Sequence, residues 1–387
     1  MSDNNLRVYL AGNQVCMKRG LDAARMTRYF LANGCIISDN ADDADLMVAL
    51  TCAFMVSYVR TAIDMIGYLR KHHGRLIVAG CLPAMAPEQF KVAFSGDHIV
   101  TKDFEYLDRL FPSFTVPYRN IPDAFMPHMN VMKPFFTDGS APIDMRNSVS
   151  EKGKPPVILR IGEGCNNSCS YCSHPVALGP LKSKQLDTCI QDYNRILAQG
   201  HSRVSIHAND PGAYGLDNGS SYPMLLHKLQ NATASPAVKW NLLDINPRWL
   251  LKYREELQEV IRWNRVAAIG VPMQSGSQRI LKLMNRSVPI PEVLETLFEF
   301  RKSSPGLSIA THLIAGFPGE TREEMEMSID IFRKVKIDLA YIFPFSSNPH
   351  TKANKFDGKL TSEEIAERQG EMAKRISEMG VCVNAFA

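Results

Sequence analysis

The sequence has no long apolar run and no strong excess of charge of one sign. No stretch of its 387 residues approaches the roughly 20 apolar residues of a membrane-spanning helix, so we expect no membrane segment. Residues 1–7 are polar and carry no apolar signal region. The 44 basic and 40 acidic residues leave a formal charge of +4. This balance neither requires nor excludes a nucleic-acid partner.

Cysteine is too sparse for a scaffold held together by disulfides. The sequence has nine cysteines, an odd number, whereas small secreted disulfide domains carry them at a much higher density. A reducing cytoplasm fits this usage best, and thiolate metal ligands would persist there. The hydrophobic content of 45% and the charged content of 22% are ordinary for a globular protein with room for two or three domains.

Two regions alternate short apolar runs with helical patterns, which predicts an α/β protein with parallel sheets. The first, residues 1–112, predicts a doubly wound sheet domain with strands at 6–11, 45–51, 75–80 and 98–101. Residues 113–154 are rich in proline, methionine and polar side chains, and we interpret them as an interdomain linker.

The second region, residues 155–387, predicts six consecutive βα units followed by a charged helix at 361–379. Six such units indicate a barrel-like, partly open (β/α)6 array. The predicted strands are 157–161, 203–208, 238–245, 266–271, 308–315 and 339–345. The predicted helices between and after them are 185–198, 222–229, 247–263, 278–284, 290–302 and 322–334.

Three cysteines in this second region are spaced as C-x-x-x-C-x-x-C. Cys165, Cys169 and Cys172 could bind three irons of a [4Fe–4S] cluster and leave the fourth iron without a protein ligand. A cluster that only carries electrons normally has four cysteines, whereas an open iron can bind a small molecule. Zinc is the alternative, although zinc sites usually combine paired C-x-x-C units or histidines at matching intervals.

Three further cysteines each follow a predicted strand of the first region. Cys16 lies a few residues after the first strand, Cys52 directly after the second and Cys81 directly after the third. Ligand sites in open parallel sheets form beyond the carboxyl ends of the strands, so these thiols should gather at one edge. The alternative is that each is a small buried core residue.

With these two open triplets, the sequence resembles the radical S-adenosylmethionine methylthiotransferases over nearly its whole length. Asp22 stands where the family usually has aspartate, whereas Arg19 stands where asparagine is usual. The second region carries several family-like segments in order. They are AYGLD at 213–217, NP at 246–247, VPMQSGS at 271–277, ILKLMNR at 280–286, GFPGET at 316–321, FS at 345–346 and TKA at 351–353.

The resemblance implies an auxiliary-cluster domain followed by a radical SAM barrel. It implies two [4Fe–4S] clusters, S-adenosylmethionine and an external electron donor such as flavodoxin or ferredoxin. Cys165, Cys169 and Cys172 would be catalytic, because their cluster reduces the cofactor to a 5′-deoxyadenosyl radical that removes hydrogen from an unactivated C–H bond. The auxiliary cluster on Cys16, Cys52 and Cys81 would present the sulfur, and a second S-adenosylmethionine would supply the methyl group.

Polar residues and a glycine near strand ends are candidates for binding the cofactor. Each also has an ordinary structural explanation: helix capping for Gln274 and Ser275, turn formation for Gly276, and shielding of the cluster for the aromatic ring between its second and third cysteines. The candidates are Tyr171, Asp210, Asn246, Gln274, Ser275 and Gly276.

Two departures from the family bear on the substrate. The family usually ends in a small RNA-binding β-barrel, and the sequence ends soon after its last predicted helix, so we expect that domain to be missing. Leu178 also stands where arginine is usual. We therefore expect a peptide or small-molecule substrate. A tRNA methylthiotransferase and a non-catalytic iron–sulfur protein are the alternatives.

Overall fold

A computed structural model describes residues 5–13, 16–127, 133–134 and 157–385, with backbone alone for 133–134. These residues form two compact units. The first comprises the described part of Met1–Met145 together with Ser173–Gly179 and Asn348–His350, and the second the described part of the remainder. No helix within these ranges has the length and apolar character needed to cross a membrane.

Fifteen strands, fourteen α-helices and four short 3-10 helices make up the described regular structure. In chain order, strands β1–β15 are Arg7–Gly12, Ile36–Ile37, Leu46–Thr51, Arg75–Gly80, His98–Val100, Lys133–Pro134, Val157–Arg160, Gly162–Glu163, Lys182–Ser183, Arg203–His207, Lys239–Leu242, Val266–Gly270, Ser308–Ala315, Leu339–Pro344 and Cys382–Ala385. Helices α1–α14 are Met17–Ala32, Val56–Leu69, Leu82–Met85, Pro87–Ala93, Leu107–Leu110, His174–Leu178, Leu186–Ala198, Tyr222–Asn231, Pro247–Lys252, Arg254–Arg262, Gln278–Leu283, Ile290–Ser303, Arg322–Lys334 and Ser362–Ser377.

The first unit is built on a parallel sheet with strand order β2-β1-β3-β4-β5, and β6 also pairs with β1. This is one of the two common orders of doubly wound sheets, so the predicted fold of the first region is confirmed. Strand β3 is buried along its whole length because helices cover both faces of the sheet. The two faces pack into separate hydrophobic cores.

The start of the predicted linker belongs to the core of the first unit. Residues 118–120 form a short 3-10 helix, and the side chains of Tyr118 and Ile121 are buried against helix α1 and its neighbours. The predicted linker beyond residue 127, apart from 133–134, lies outside the described residues. The exact domain boundaries stay a prediction.

The second unit contains a parallel sheet of seven strands in the order β15-β14-β13-β12-β11-β10-β7. Its first six strands in sequence are those that the βα pattern predicts, which confirms the βα array. Strands β7 and β15 form the two edges of this sheet, so the array is open between them. A separate antiparallel pair, β8 and β9, flanks the loop that carries Cys165.

Two features of the second unit differ from the sequence prediction. The single helix predicted at 247–263 is two helices, α9 and α10, because the backbone of Tyr253 leaves the helical region with φ −108° and ψ 27°. The chain also continues beyond its last helix into β15, which pairs with β14. This edge strand was missed because it has four residues and none of them is buried.

Candidate metal centres and cofactor site

The first unit brings Cys16, Cys52 and Cys81 together, although 65 residues separate the first from the last. They follow strands β1, β3 and β4, which are neighbours in the sheet. The Cys16 and Cys52 side chains are hydrogen-bonded, and both interact electrostatically with Cys81. Cys52 and Cys81 are buried and Cys16 is half-buried.

The three thiols cannot all ionise easily without a cation among them. The hydrogen bond from Cys52 lowers the pKa of Cys16, and the same bond, together with burial, raises the pKa of Cys52. Burial also raises the pKa of Cys81, an effect that the positive charge of Arg19 opposes. A metal cluster would supply the missing positive charge, so this donor set fits an iron–sulfur cluster.

Asn13 positions the loop that carries Cys52, and sequence reasoning missed it. Its side chain accepts a hydrogen bond from the Cys52 amide at 2.8 Å and donates to the Cys52 carbonyl at 3.1 Å. It also donates to the Tyr58 carbonyl at 2.8 Å and to Thr61 Oγ1 at 3.0 Å, at the start of helix α2. The available signal was a polar residue directly after a buried strand.

The backbone conformation directly before Cys81 requires a glycine. Gly80 has φ +106°, and a Cβ atom there would overlap the carbonyl oxygen of Thr51 on the neighbouring strand. The Cys81 amide donates to that same carbonyl at 2.9 Å. The Thr101 hydroxyl, buried at the end of β5, lies 3.7 Å from Cys81 Sγ as a hydrogen-bond donor.

The other three cysteines lie on one loop of the second unit. Cys165 Sγ accepts a hydrogen bond from the Asn167 amide at 3.4 Å, and the Cys172 amide donates to the Cys169 carbonyl at 3.2 Å. Between them, the Ser170 amide donates to the Met284 carbonyl at 3.0 Å. The loop is therefore fixed both by its own turns and by the segment after helix α11.

That segment, the last residues of the ILKLMNR motif, supplies two side chains to the loop of residues 165–172, called the cluster loop below. Arg286 Nη1 donates to Cys169 Sγ at 3.8 Å, and its Nη2 donates to the Pro272 carbonyl at 2.9 Å. Asn285 Nδ2 donates to the carbonyl and hydroxyl oxygens of Ser168, at 3.1 and 2.7 Å. The sequence match identified this motif, but only the structure assigns its role.

Asp210 and Asn246 lie beyond the ends of neighbouring strands, β10 and β11. Asp210 Oδ2 accepts hydrogen bonds from Asn167 Nδ2 at 2.7 Å and Trp249 Nε1 at 3.1 Å, which ties the cluster loop to the sheet. Its Oδ1 is buried without a hydrogen-bond partner among the described residues, so it has a free acceptor for a cofactor hydroxyl or amino group. Asn246 caps helix α9 by accepting from the Arg248 amide at 3.2 Å.

The remaining cofactor candidates have clear local contacts. Gln274 has φ +71° and bridges to strand β13 through its main chain. Ser275 lies beside Ser328 of helix α13 with 3.4 Å between hydroxyl oxygens, and Gly276 allows that helix to approach closely. Tyr171 is half-buried, and burial raises its pKa. Cofactor contact by these four residues stays a prediction.

A polar surface on the second sheet was not identified from the sequence. In this surface, Asp244 lies 3.7 Å from His207 Nδ1 and 3.9 Å from His312 Nε2. The ring of Tyr341, on the next strand, packs edge-on against His312 with 5.0 Å between centroids. The pairing of β13 with β14 places His312 and Tyr341 directly opposite each other, which is why they share a face.

Neither triplet is completed by a fourth cysteine. Cys35 lies in a hydrophobic core, Cys189 Sγ lies near Tyr214 Oη, and Cys382 is exposed on β15. Within the described ranges, no three His, Cys, Asp or Glu side chains are arranged to hold a single metal ion. A four-iron cluster binds each thiolate through a different iron and therefore needs a wider set of sulfurs.

Comparisons with known proteins match both units. The profile of the Radical SAM superfamily matches residues 159–332, which include the loop with Cys165, Cys169 and Cys172. The profile of Uncharacterized protein family UPF0004 matches residues 12–101, which include the other three cysteines. The solved structure of the radical S-adenosylmethionine methyltransferase TsrM from Kitasatospora setae has a similar fold, with a TM-score of 0.65, 13% identity, and coverage of 90% of this chain and 77% of its own.

Curated relatives align over most of the chain. A ribosomal protein uS12 methylthiotransferase RimO from Francisella philomiragia subsp. philomiragia is 26% identical over 363 residues, which are 92% of this chain and 78% of the relative. A tRNA-2-methylthio-N(6)-dimethylallyladenosine synthase from Thermodesulfovibrio yellowstonii is 28% identical over 373 residues, 94% of this chain and 82% of the relative. Together, the two profile matches and these relatives support the family of radical S-adenosylmethionine methylthiotransferases for this chain, enzymes that transfer a sulfur-containing group with the help of S-adenosylmethionine and [4Fe–4S] clusters.

Proposed function

We propose that this enzyme inserts a methylthio group into an unactivated C–H bond of a peptide or small-molecule substrate. The observation that carries the proposal is the convergence of Cys16, Cys52 and Cys81 at one edge of the first sheet, in a chain that also has the C-x-x-x-C-x-x-C loop. Electron transfer alone needs no open iron, whereas each triplet here is one thiolate short of a full set.

The residues of each unit have separate roles in this proposal. Cys165, Cys169 and Cys172 hold the cluster that would supply reducing electrons to S-adenosylmethionine, and Arg286 fixes the sulfur of Cys169. Asp210 holds Asn167 of the cluster loop and offers its second oxygen to the cofactor. Cys16, Cys52 and Cys81 hold the auxiliary cluster, from which the sulfur would come.

The polar surface formed by His207, Asp244, His312 and Tyr341 is the proposed contact for the substrate. Asp244 and His312 keep 29% and 23% of their side chains exposed, so their carboxylate and imidazole can accept and donate hydrogen bonds, whereas both ring nitrogens of His207 are buried. Two histidines and one carboxylate do not form a phosphate-binding cluster, which favours a peptide or metabolite. The modest charge of +4 supports the same choice.

A tRNA substrate is the second candidate because a tRNA-modifying relative aligns over 94% of the chain. Mass spectrometry of peptides, metabolites and RNA from a strain lacking the gene separates the two. We expect a methylthio group to be missing from a peptide or metabolite. Its loss from an RNA nucleoside alone would overturn the proposed substrate class while leaving the reaction type intact.

The cluster assignment is tested by counting iron under anaerobic conditions. Two four-iron clusters predict about eight irons per chain, and replacing Cys16, Cys52 and Cys81 together by alanine should leave about half. The matched variant replaces Cys35, Cys189 and Cys382 instead and should keep all the iron. Retention of all iron in the first triple variant, or no release of 5′-deoxyadenosine by the intact protein, would contradict the proposal.

A further inference from the structure

A buried ion pair lies beside the cysteines of the first unit. Arg19 Nη2 and Asp22 Oδ2 are 2.8 Å apart, with only 5% and 1% of the two side chains exposed. Both residues lie in the first two turns of helix α1, which begins directly after Cys16. The guanidinium also lies over the ring of Phe104, 5.7 Å from its centroid.

The positive charge of Arg19 lies close to the cysteines of the auxiliary site. The Arg19 amide donates to Cys16 Sγ at 3.5 Å, so the residue is fixed relative to the first thiol. Its positive charge lowers the pKa of Cys81 as well as that of Cys16, and the negative charge of Asp22 opposes this effect at Cys81. Helix α1 has 16 residues and presents its positive end at the same point.

Burying an ion pair is rarely the most stable solution, because desolvation offsets the attraction between the charges. An apolar pair of similar size would serve the core of the first unit at least as well. The cluster held by three thiolates would carry negative charge, and an anionic ligand on its open iron would add more. A buried cation at this point stabilises that charge in surroundings of low dielectric constant.

We propose that Arg19 makes the auxiliary site an anion-binding site, where its guanidinium stabilises a hydrosulfide-class ligand on the open iron and raises the reduction potential of the cluster. Asp22 orients the guanidinium and sets how much of its charge reaches the cluster. Arg19 is thus a positioning residue for the sulfur donor. This inference rests on the proposed function, because it requires the auxiliary cluster.

The test uses the full chain with Cys165, Cys169 and Cys172 replaced by alanine, so that only the auxiliary cluster remains. In this background we compare Arg19→Gln, Arg19→Lys and Asp22→Asn after anaerobic reconstitution. Arg28→Gln is the control, because Arg28 is an exposed arginine on the same helix. Two quantities are measured by electron paramagnetic resonance: the midpoint potential of the cluster and its affinity for sodium sulfide at pH 8.

The two members of the ion pair should act in opposite directions. We expect Arg19→Gln to lower the midpoint potential and to weaken sulfide binding by roughly tenfold, because a buried charge-assisted contact is lost. Asp22→Asn should raise the potential, and Arg19→Lys and Arg28→Gln should leave both quantities near those of the parent. If the ion pair were purely structural, Arg19→Gln and Asp22→Asn would change iron retention alike and would leave the midpoint potential and the sulfide affinity unchanged. That result would overturn the proposal.

A further variant covers the case in which Arg19→Gln fails to fold, since it leaves Asp22 buried without its cation. The double variant Arg19→Gln/Asp22→Asn has no unpaired buried charge. Its potential should lie below that of Asp22→Asn alone, and equal potentials would contradict the role of Arg19. Absence of iron from the parent background itself would instead count against the auxiliary cluster, and hence against the proposed function.

Discussion

At the scale of single residues, the chemistry of the site depends on buried polar side chains that fix the cysteines. Asn13 makes four hydrogen bonds around Cys52, Arg286 contacts Cys169, and Asp210 holds the cluster loop through Asn167. The cysteines themselves could be predicted because their spacing and their places after strands are visible in the sequence. Asn13 and Arg286 could not, since hydrogen bonds between distant segments leave no periodic pattern.

Replacing Asn13 by alanine should destabilise the first unit and weaken its hold on iron. The change removes the partners of the Cys52 amide and carbonyl, which are buried, so we expect a loss of about 3 kcal/mol in the free energy of unfolding. Urea denaturation measures this loss, and iron counting after brief chelation measures retention. Asn231→Ala, at an exposed position on helix α8, is the control and should change neither quantity. An unchanged Asn13→Ala protein would refute the positioning role.

Glu320 should make stability depend on pH. Its side chain is buried, accepts a hydrogen bond from the Gly316 amide at 2.9 Å and lies 3.5 Å from Arg368. Burial raises its pKa from 4.5 to about 7, so the stability it contributes is full below about pH 4.5 and is lost as the pH rises through 7. Glu320→Gln cannot ionise, and relative to wild type it should gain roughly 2.5 kcal/mol between pH 5 and pH 8.

Urea denaturation of both proteins at the two pH values measures this gain. The exposed Glu105→Gln variant is the control and should show the same pH dependence as wild type. A difference between Glu320→Gln and wild type that stays constant with pH would mean that Glu320 remains ionised throughout this range.

At the scale of helices and strands, the prediction succeeded where burial on both faces leaves a continuous apolar run. Strand β4 was predicted at its observed bounds for this reason. Helix α13 was also predicted at its observed bounds, because its amphipathic pattern follows a capping box at Thr321 and Glu324. The sequence missed β2, which has two residues, and the break at Tyr253, where no proline or glycine announces the end of a helix. Short or locally irregular elements are fixed by tertiary contacts.

The end of β4 should tolerate no side chain at Gly80. An alanine Cβ there would overlap the Thr51 carbonyl and force an unfavourable φ, so we expect Gly80→Ala to cost on the order of 3 kcal/mol and to displace Cys81. Gly67→Ala is the matched change, because Gly67 lies in helix α2 with open space around its Cα. It should stabilise the protein by up to about 1 kcal/mol. Thermal unfolding measures the change in stability of each variant. Equal changes in Gly80→Ala and Gly67→Ala would refute the steric argument.

At the scale of the whole molecule, the sequence predicted two α/β units because alternating strands and helices leave few other arrangements. The order of strands in the first sheet places β1 and β3 side by side, and loops that follow such neighbouring strands are where doubly wound sheets bind ligands. What the sequence could not predict is the polar surface around Asp244. Three of its members come from separate strands and Asp244 comes from the loop after β11, so they become neighbours only through the pairing of the strands.

The proposed peptide or small-molecule substrate predicts weak binding to RNA. With a formal charge of only +4, contacts with phosphate should be few, and the affinity for bulk tRNA should be low and lost between 50 and 200 mM salt. A gel-shift assay at these two salt concentrations measures it. A tight complex that persists at the higher salt would favour the tRNA substrate instead.

The distribution of the two cysteine triplets along the chain has a consequence for how the enzyme matures. Cys165 to Cys172 lie within one short loop, so the chain entropy that opposes bringing these three thiols together is small. Cys16, Cys52 and Cys81 meet only after β1, β3 and β4 have joined one sheet, and a cluster bound there cross-links segments that chain entropy would otherwise keep apart. Iron at the proposed auxiliary site would therefore report that the first sheet of the newly made protein has folded.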